Sequence, residues 1–172
     1  MTRGRAGERG MTAIEVAITF AIVGSLLAVA VPAFLRDLKA SKLSEPVDGV
    51  KAIAEGATAY AHAHDVPHAY PPSVALTPSL VPRGTREIDP PGTWDQPTWK
   101  ALGFRPSQEG VAHAFAFEME STLGATRSTF VARSHGDLDG DGVTSTFEVS
   151  GHDQADAGAV IDPGMVVEAE VE

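Results

Sequence analysis

The chain contains no cysteine, which excludes a disulfide framework and any thiolate metal site. Basic residues are scarce, with 13 Lys and Arg against 23 Asp and Glu for a formal net charge of −10. No run of Lys or Arg tracks a phosphate backbone, so nucleic acid is not an expected partner. A catalytic constellation is lacking too. His62 and His64 are two residues apart, and a helix would send them to different faces. Ser134, His135 and Asp137 lie too close in sequence for a triad, because their side chains would point apart. The chain therefore reads as a non-enzyme.

What is present begins at the N-terminus. The 172 residues suffice for one main globular domain with a proper core. Residues 1–10 (MTRGRAGERG) carry three arginines against one glutamate, a net +2. An apolar stretch from Val16 to Leu35 follows, interrupted only by small or weakly polar residues such as Thr19, Gly24 and Ser25. Twenty helical residues span about 30 Å, the thickness of a bilayer core. The leading positive charges place the N-terminus in the cytoplasm and send the rest of the chain outward. One reading is a conventional signal peptide, for which Ala28-Val29-Ala30 supplies a cleavage site. Another is an uncleaved anchor. Both leave Glu15 unexplained, a carboxylate near the start of the apolar run, and the run continues past Ala30 through Leu35.

The stretch "RGMTAIEVAITFAIVGSLLAVAVPAFL" (Arg9–Leu35) resembles the N-terminus of type IV pilins and of type II secretion pseudopilins. The family pattern is a short basic leader ending in Gly, a first mature residue that is often Met, and Glu as the fifth mature residue. A long apolar helix with an internal proline follows. Gly10, Met11, Glu15 and Pro32 occupy those positions. The resemblance covers about the first 35 residues closely and implies cleavage between Gly10 and Met11 by a prepilin peptidase, which also methylates the new amine of Met11. It further implies helix bundling with homologous subunits and an inner-membrane assembly platform. The precursor would reside in the inner membrane, and the mature chain in a pilus or pseudopilus, periplasmic or at the cell surface. The absence of cysteine departs from the disulfide-stapled members of the family.

Elementary electrostatics agrees with such a role for Glu15. An unpaired carboxylate in hydrocarbon costs about 2.5–3.5 kcal/mol on insertion scales. Cutting after Gly10 creates an ammonium on Met11, about 6 Å along the helix axis from Glu15. In the family the acid meets the terminal amine of the same or a neighbouring subunit. Pairing between subunits would fix register as well as attract, because a misaligned neighbour leaves both charges unpaired.

Beyond Leu35, apolar residues mostly at steps of three and four (Leu38, Leu43, Val47, Val50, Ile53, Ala57, Tyr60) predict one helix face against a core. The expectation is a single helix from Met11 to about Ala63, bent at Pro32 and Pro46. Residues 66–107 hold nine of the 12 prolines and both tryptophans, and read as a long ordered connection with Trp94 and Trp99 as packing residues. Alternation from Val111 to Met119 predicts a strand with His113 at its core face or edge. Ser128–Ser134 and Val143–Ser150 read as two more strands, and Met165–Val171 as a fourth. The expected fold is α+β and pilin-like: a leader (1–10), an apolar assembly helix (11–35) and a soluble head (36–172). The head contains the αβ-loop (66–107) and an antiparallel sheet of three to four strands (108–172).

One further motif, "DLDGDGVTSTFE", places Asp137, Asp139, Asp141, Gly142, Ser145 and Glu148 at positions 1, 3, 5, 6, 9 and 12 of a calcium loop. Val143 would add a carbonyl. Strand-like flanks distinguish it from an EF-hand, and the same residues favour a plain polar hairpin loop. Calcium is the expected cofactor, a substitute staple where cysteine is absent. The alternative to a filament subunit is a secreted or membrane-anchored calcium-binding module outside any fibre.

Overall fold

A computed structural model of the chain describes residues 11–64, 68–154 and 158–169. The chain divides into two compact units, Met1–Lys39 and Ala40–Glu172. Among its described residues the first unit is helical. Helix α1 runs from Ala13 to Lys42 with Pro32 inside it; the missing N–H of that proline leaves the Ala28 carbonyl without its intrahelical donor. Within α1, Ala13–Phe34 is 22 residues long and none of its most apolar window is buried. It has the length and composition of a membrane anchor or a signal sequence.

The expected single helix is interrupted at Leu43, and helix α2 spans Ser44–His62. Pro46 explains the position of the break, since it has no N–H to offer the carbonyl of Lys42, four residues earlier. Pro46, Gly49, Val50, Ile53, Ala54, Ala57 and Ala61 are the buried residues of α2, close to the face that periodicity predicts.

This face packs on an antiparallel sheet. The strands are β1 (Val74–Thr77), β2 (Phe115–Thr122), β3 (Arg127–Gly136), β4 (Ser145–Gln154), β5 (Gly158–Ile161) and β6 (Val166–Glu168). Their order is β1-β2-β3-β4-β5, with β6 also on β4. The sheet therefore has six strands, where the sequence suggested three to four. The two strands not foreseen, β1 and β5, have four residues each, too short to show a period. Strands β5 and β6 share one edge of β4, pairing with its C-terminal and N-terminal halves. Between them Pro163 lacks a ladder donor and Gly164 has φ +101°.

Within the 66–107 region the described residues, from His68 on, contain more than loop: β1 and a short helix, α3 (Pro97–Leu102). Pro97 opens α3 and Gly103, at φ +63°, closes it, with Phe104 N–H returning to the Trp99 carbonyl at 2.9 Å. Both tryptophans pack as expected, Trp99 fully buried and Trp94 nearly so. Trp94 donates to Asp89 Oδ2 at 2.6 Å and Trp99 to Thr77 Oγ1 at 3.1 Å. His113 is 1% exposed, with Nδ1 2.8 Å from the Phe115 carbonyl and Nε2 2.6 Å from Asp89 Oδ2. Both ring nitrogens thus face oxygen atoms of the protein, which fixes the ring between β2 and the 66–107 region.

A second anchor joins helix to sheet. Glu45 Oε1 accepts from the N–H groups of Ala114 (2.7 Å) and Phe115 (3.2 Å), while Oε2 accepts from Arg86 Nη2 at 2.8 Å. The first turn of α2 is thus tied to the start of β2. Close packing above the sheet requires glycine at position 49, where a methyl group would overlap the buried Phe117 ring. Gly49→Ala is expected to destabilise the fold by about 1–3 kcal/mol. A thermal melt measures this, and an unchanged midpoint would contradict the packing described.

Candidate functional site

Two places carry the residues singled out by sequence. The first is the entry to α1. Gly10 lies outside the described residues, while Met11 is described and 64% exposed. Glu15 is exposed in the first turn of α1. Its Oε2 accepts from Thr12 N–H at 2.8 Å and from Thr12 Oγ1 at 3.0 Å, and Glu15 N–H donates to Thr12 Oγ1 at 3.3 Å. This is a capping box: threonine before the helix and glutamate three residues on satisfy two otherwise orphaned backbone donors. Thr12 was not foreseen, although Thr-x-x-Glu ahead of an apolar run is the sequence signal for it. Among the described residues nothing donates to Oε1 of Glu15. The carboxylate can therefore hold the helix start with one oxygen and receive another donor with the second.

The second place is the β3–β4 connection. Asp137 is 1% exposed; its Oδ1 accepts from Gly140 N–H at 2.7 Å and its Oδ2 from Gly142 N–H at 3.1 Å. Asp139 accepts from Asp141 N–H at 3.3 Å, and Asp141 from Val143 N–H at 2.7 Å. Gly140 and Gly142, with φ of +82° and +96°, make the reversal that turns the three side chains together. One carboxylate oxygen from each of Asp137, Asp139 and Asp141 lies within 4.8 Å of the others. Such a cluster could hold a metal ion, and its hard oxygen donors suit calcium or magnesium rather than a soft metal. The segment before it is clasped from outside, because Gly84 N–H donates to the Asp137 carbonyl at 2.7 Å.

The remaining expected ligands are placed differently. Val143 is half exposed beside the cluster. Ser145 opens β4 fully buried, its hydroxyl donating to the Gly136 carbonyl at 3.1 Å. Glu148 sits opposite Arg133 in the β3–β4 register and accepts from its Nε at 2.6 Å. The hairpin explains both: strand pairing starts at Ser145, so the chain straightens where a calcium-binding helix would curl round the ion.

Ser134 points inward from β3 and His135 outward, with His135 Nδ1 3.0 Å from Thr146 Oγ1. Compared with known proteins, the chain matches no protein-family model, no curated protein and no solved structure. Its function therefore rests on the residues themselves.

Proposed function

We propose that this chain is a structural subunit of a type IV pilus or type II secretion pseudopilus. In this reading a prepilin peptidase cuts between Gly10 and Met11 and methylates the amine of Met11. The chain waits in the inner membrane with its N-terminus cytoplasmic and its head outside. An assembly platform then packs α1 against the helices of homologous subunits, periplasmic or at the cell surface. The observation that carries the reading is the helix Ala13–Phe34, apolar over 22 residues and uncovered, with a carboxylate in its first turn. A signal sequence or anchor needs no such acid, and hydrocarbon penalises it. A filament offers it the Met11 ammonium.

The free Oε1 of Glu15 supports this pairing, because the capping bonds to Thr12 occupy only the other oxygen. Recovery of the chain in the sheared or sedimented filament fraction of its cells tests the proposal. Its confinement to the membrane and soluble fractions would contradict it.

The three-aspartate cluster favours a companion reading, in which the β3–β4 loop binds calcium and replaces a covalent staple. Asp137, Asp139 and Asp141 would hold the ion, and the ion would neutralise carboxylates that otherwise repel one another. That site serves equally a secreted or membrane-anchored calcium-binding module outside any fibre, and the filament fraction separates the two.

A further inference from the structure

Leu80 is 80% exposed, more than any other large apolar side chain among the described residues. It lies on the segment that leaves β1 and crosses to the aspartate loop, where Arg83 bridges to Asp137. A single exposed leucine is ordinary, but this one is not isolated. It stands at the lip of an open groove of about 470 Å³, lined also by Leu76, Val81 and Thr144. Val143, the residue before Thr144, is half exposed too. Apolar surface gathered in one place marks a contact rather than chance.

Two charges of opposite sign, Arg83 and Glu87, line the same groove. Both residues are exposed, and neither side chain makes a hydrogen bond or ion pair among the described residues. Their backbones are fixed. Arg83 is tied to Asp137 at the end of β3, and Glu87 to His113 just ahead of β2. Glu87 and His113 exchange two backbone hydrogen bonds of 2.9 Å.

Such a surface is its own complement. Across a two-fold axis, residue i of one copy meets residue j of the other, and j meets i. Arg83 then faces Glu87 of the second copy, Glu87 faces Arg83 of the second copy, and each Leu80 enters the opposite groove. Most of the chain resists its own kind, with a formal net charge of −10. Here the two rim charges cancel, so a second copy approaches without added repulsion. A partner of one charge sign would satisfy one rim residue and be repelled by the other.

We propose that this groove pairs the heads of two copies of the chain across a two-fold axis, through Leu80 and two reciprocal Arg83–Glu87 ion pairs. The contact is separate from the packing of α1 and does not depend on the filament reading. An interface built on one groove belongs to the small, weak class. It therefore forms where copies are crowded, in a membrane or along neighbouring fibres.

The test is self-association of the full chain in density-matched detergent micelles, followed by sedimentation equilibrium over a concentration series. Leu80→Asp should weaken association at least about tenfold. Arg83→Glu and Glu87→Arg should each weaken it as well, because each sets like charges opposite one another. An equimolar mixture of those two variants should associate again, since every rim charge of one then meets its opposite on the other. All three side chains are exposed, so the variants should melt with the wild type. Association that none of these variants changes has its source in α1 and would overturn the proposal. A wild-type chain that stays monomeric would overturn it too, as would a mixture that fails to recover.

Discussion

Glu15→Gln is expected to leave membrane insertion intact while incorporation into filaments falls at least about tenfold. Glutamine separates two roles that alanine would confuse. At the third helical position it still accepts from Thr12 and completes the capping box, so the start of α1 survives. What it removes is the charge. Leaving the Met11 ammonium buried without its partner costs about 3–5 kcal/mol, and each 1.4 kcal/mol is about a factor of ten in an association constant. Insertion itself should improve slightly, because a neutral amide is cheaper than a carboxylate in hydrocarbon. Fractionation of cells expressing the variant reads both quantities at once. Normal filament incorporation of Glu15→Gln would reduce Glu15 to a helix cap.

Calcium should raise the unfolding midpoint of the full chain by about 5–10 °C over chelator-treated protein, when supplied at about a hundred times its dissociation constant. The expectation follows from linkage: an ion that binds only the folded loop stabilises it by about 2.7 kcal/mol at that concentration. Asp139→Asn with Asp141→Asn is the informative variant. Both side chains are exposed, and their bonds are local ones to Asp141 N–H and Val143 N–H. Removing their charge should abolish the response and spare the fold. Asp137 is a poorer probe, because its buried carboxylate also holds the Gly140 and Gly142 amides. Coincident melts with and without calcium would remove the metal from the account.

Long periodic elements were legible in the sequence because their burial is regular. The apolar run of α1, the three-and-four spacing of α2 and the alternation along β2, β3 and β4 all reappear in the structure. Most short elements were not, although β6 (Val166–Glu168) lies inside the strand expected at Met165–Val171. Strands β1 and β5 have four residues each, and α3 has six, although Pro97 and Gly103 punctuate α3 at both ends. The candidate sites divide in the same way. Asp137, Asp139 and Asp141 are brought together by local glycine turns, which sequence spacing captures. Ser145 and Glu148 depend on where strand pairing begins, a property of the hairpin as a whole. Glu45 could not be singled out, since its partners Ala114 and Phe115 lie some 70 residues away along the chain. Thr12 was legible, since Thr-x-x-Glu ahead of an apolar run is the spacing of a capping box.

In the proposed filament proteolysis supplies the cation for Glu15, and the mass of the N-terminal peptide of the protein isolated from its own cells decides whether it does. The expected polypeptide begins at Met11 and carries a methylated amine. A chain that begins at Met1 or at Val31 would contradict it.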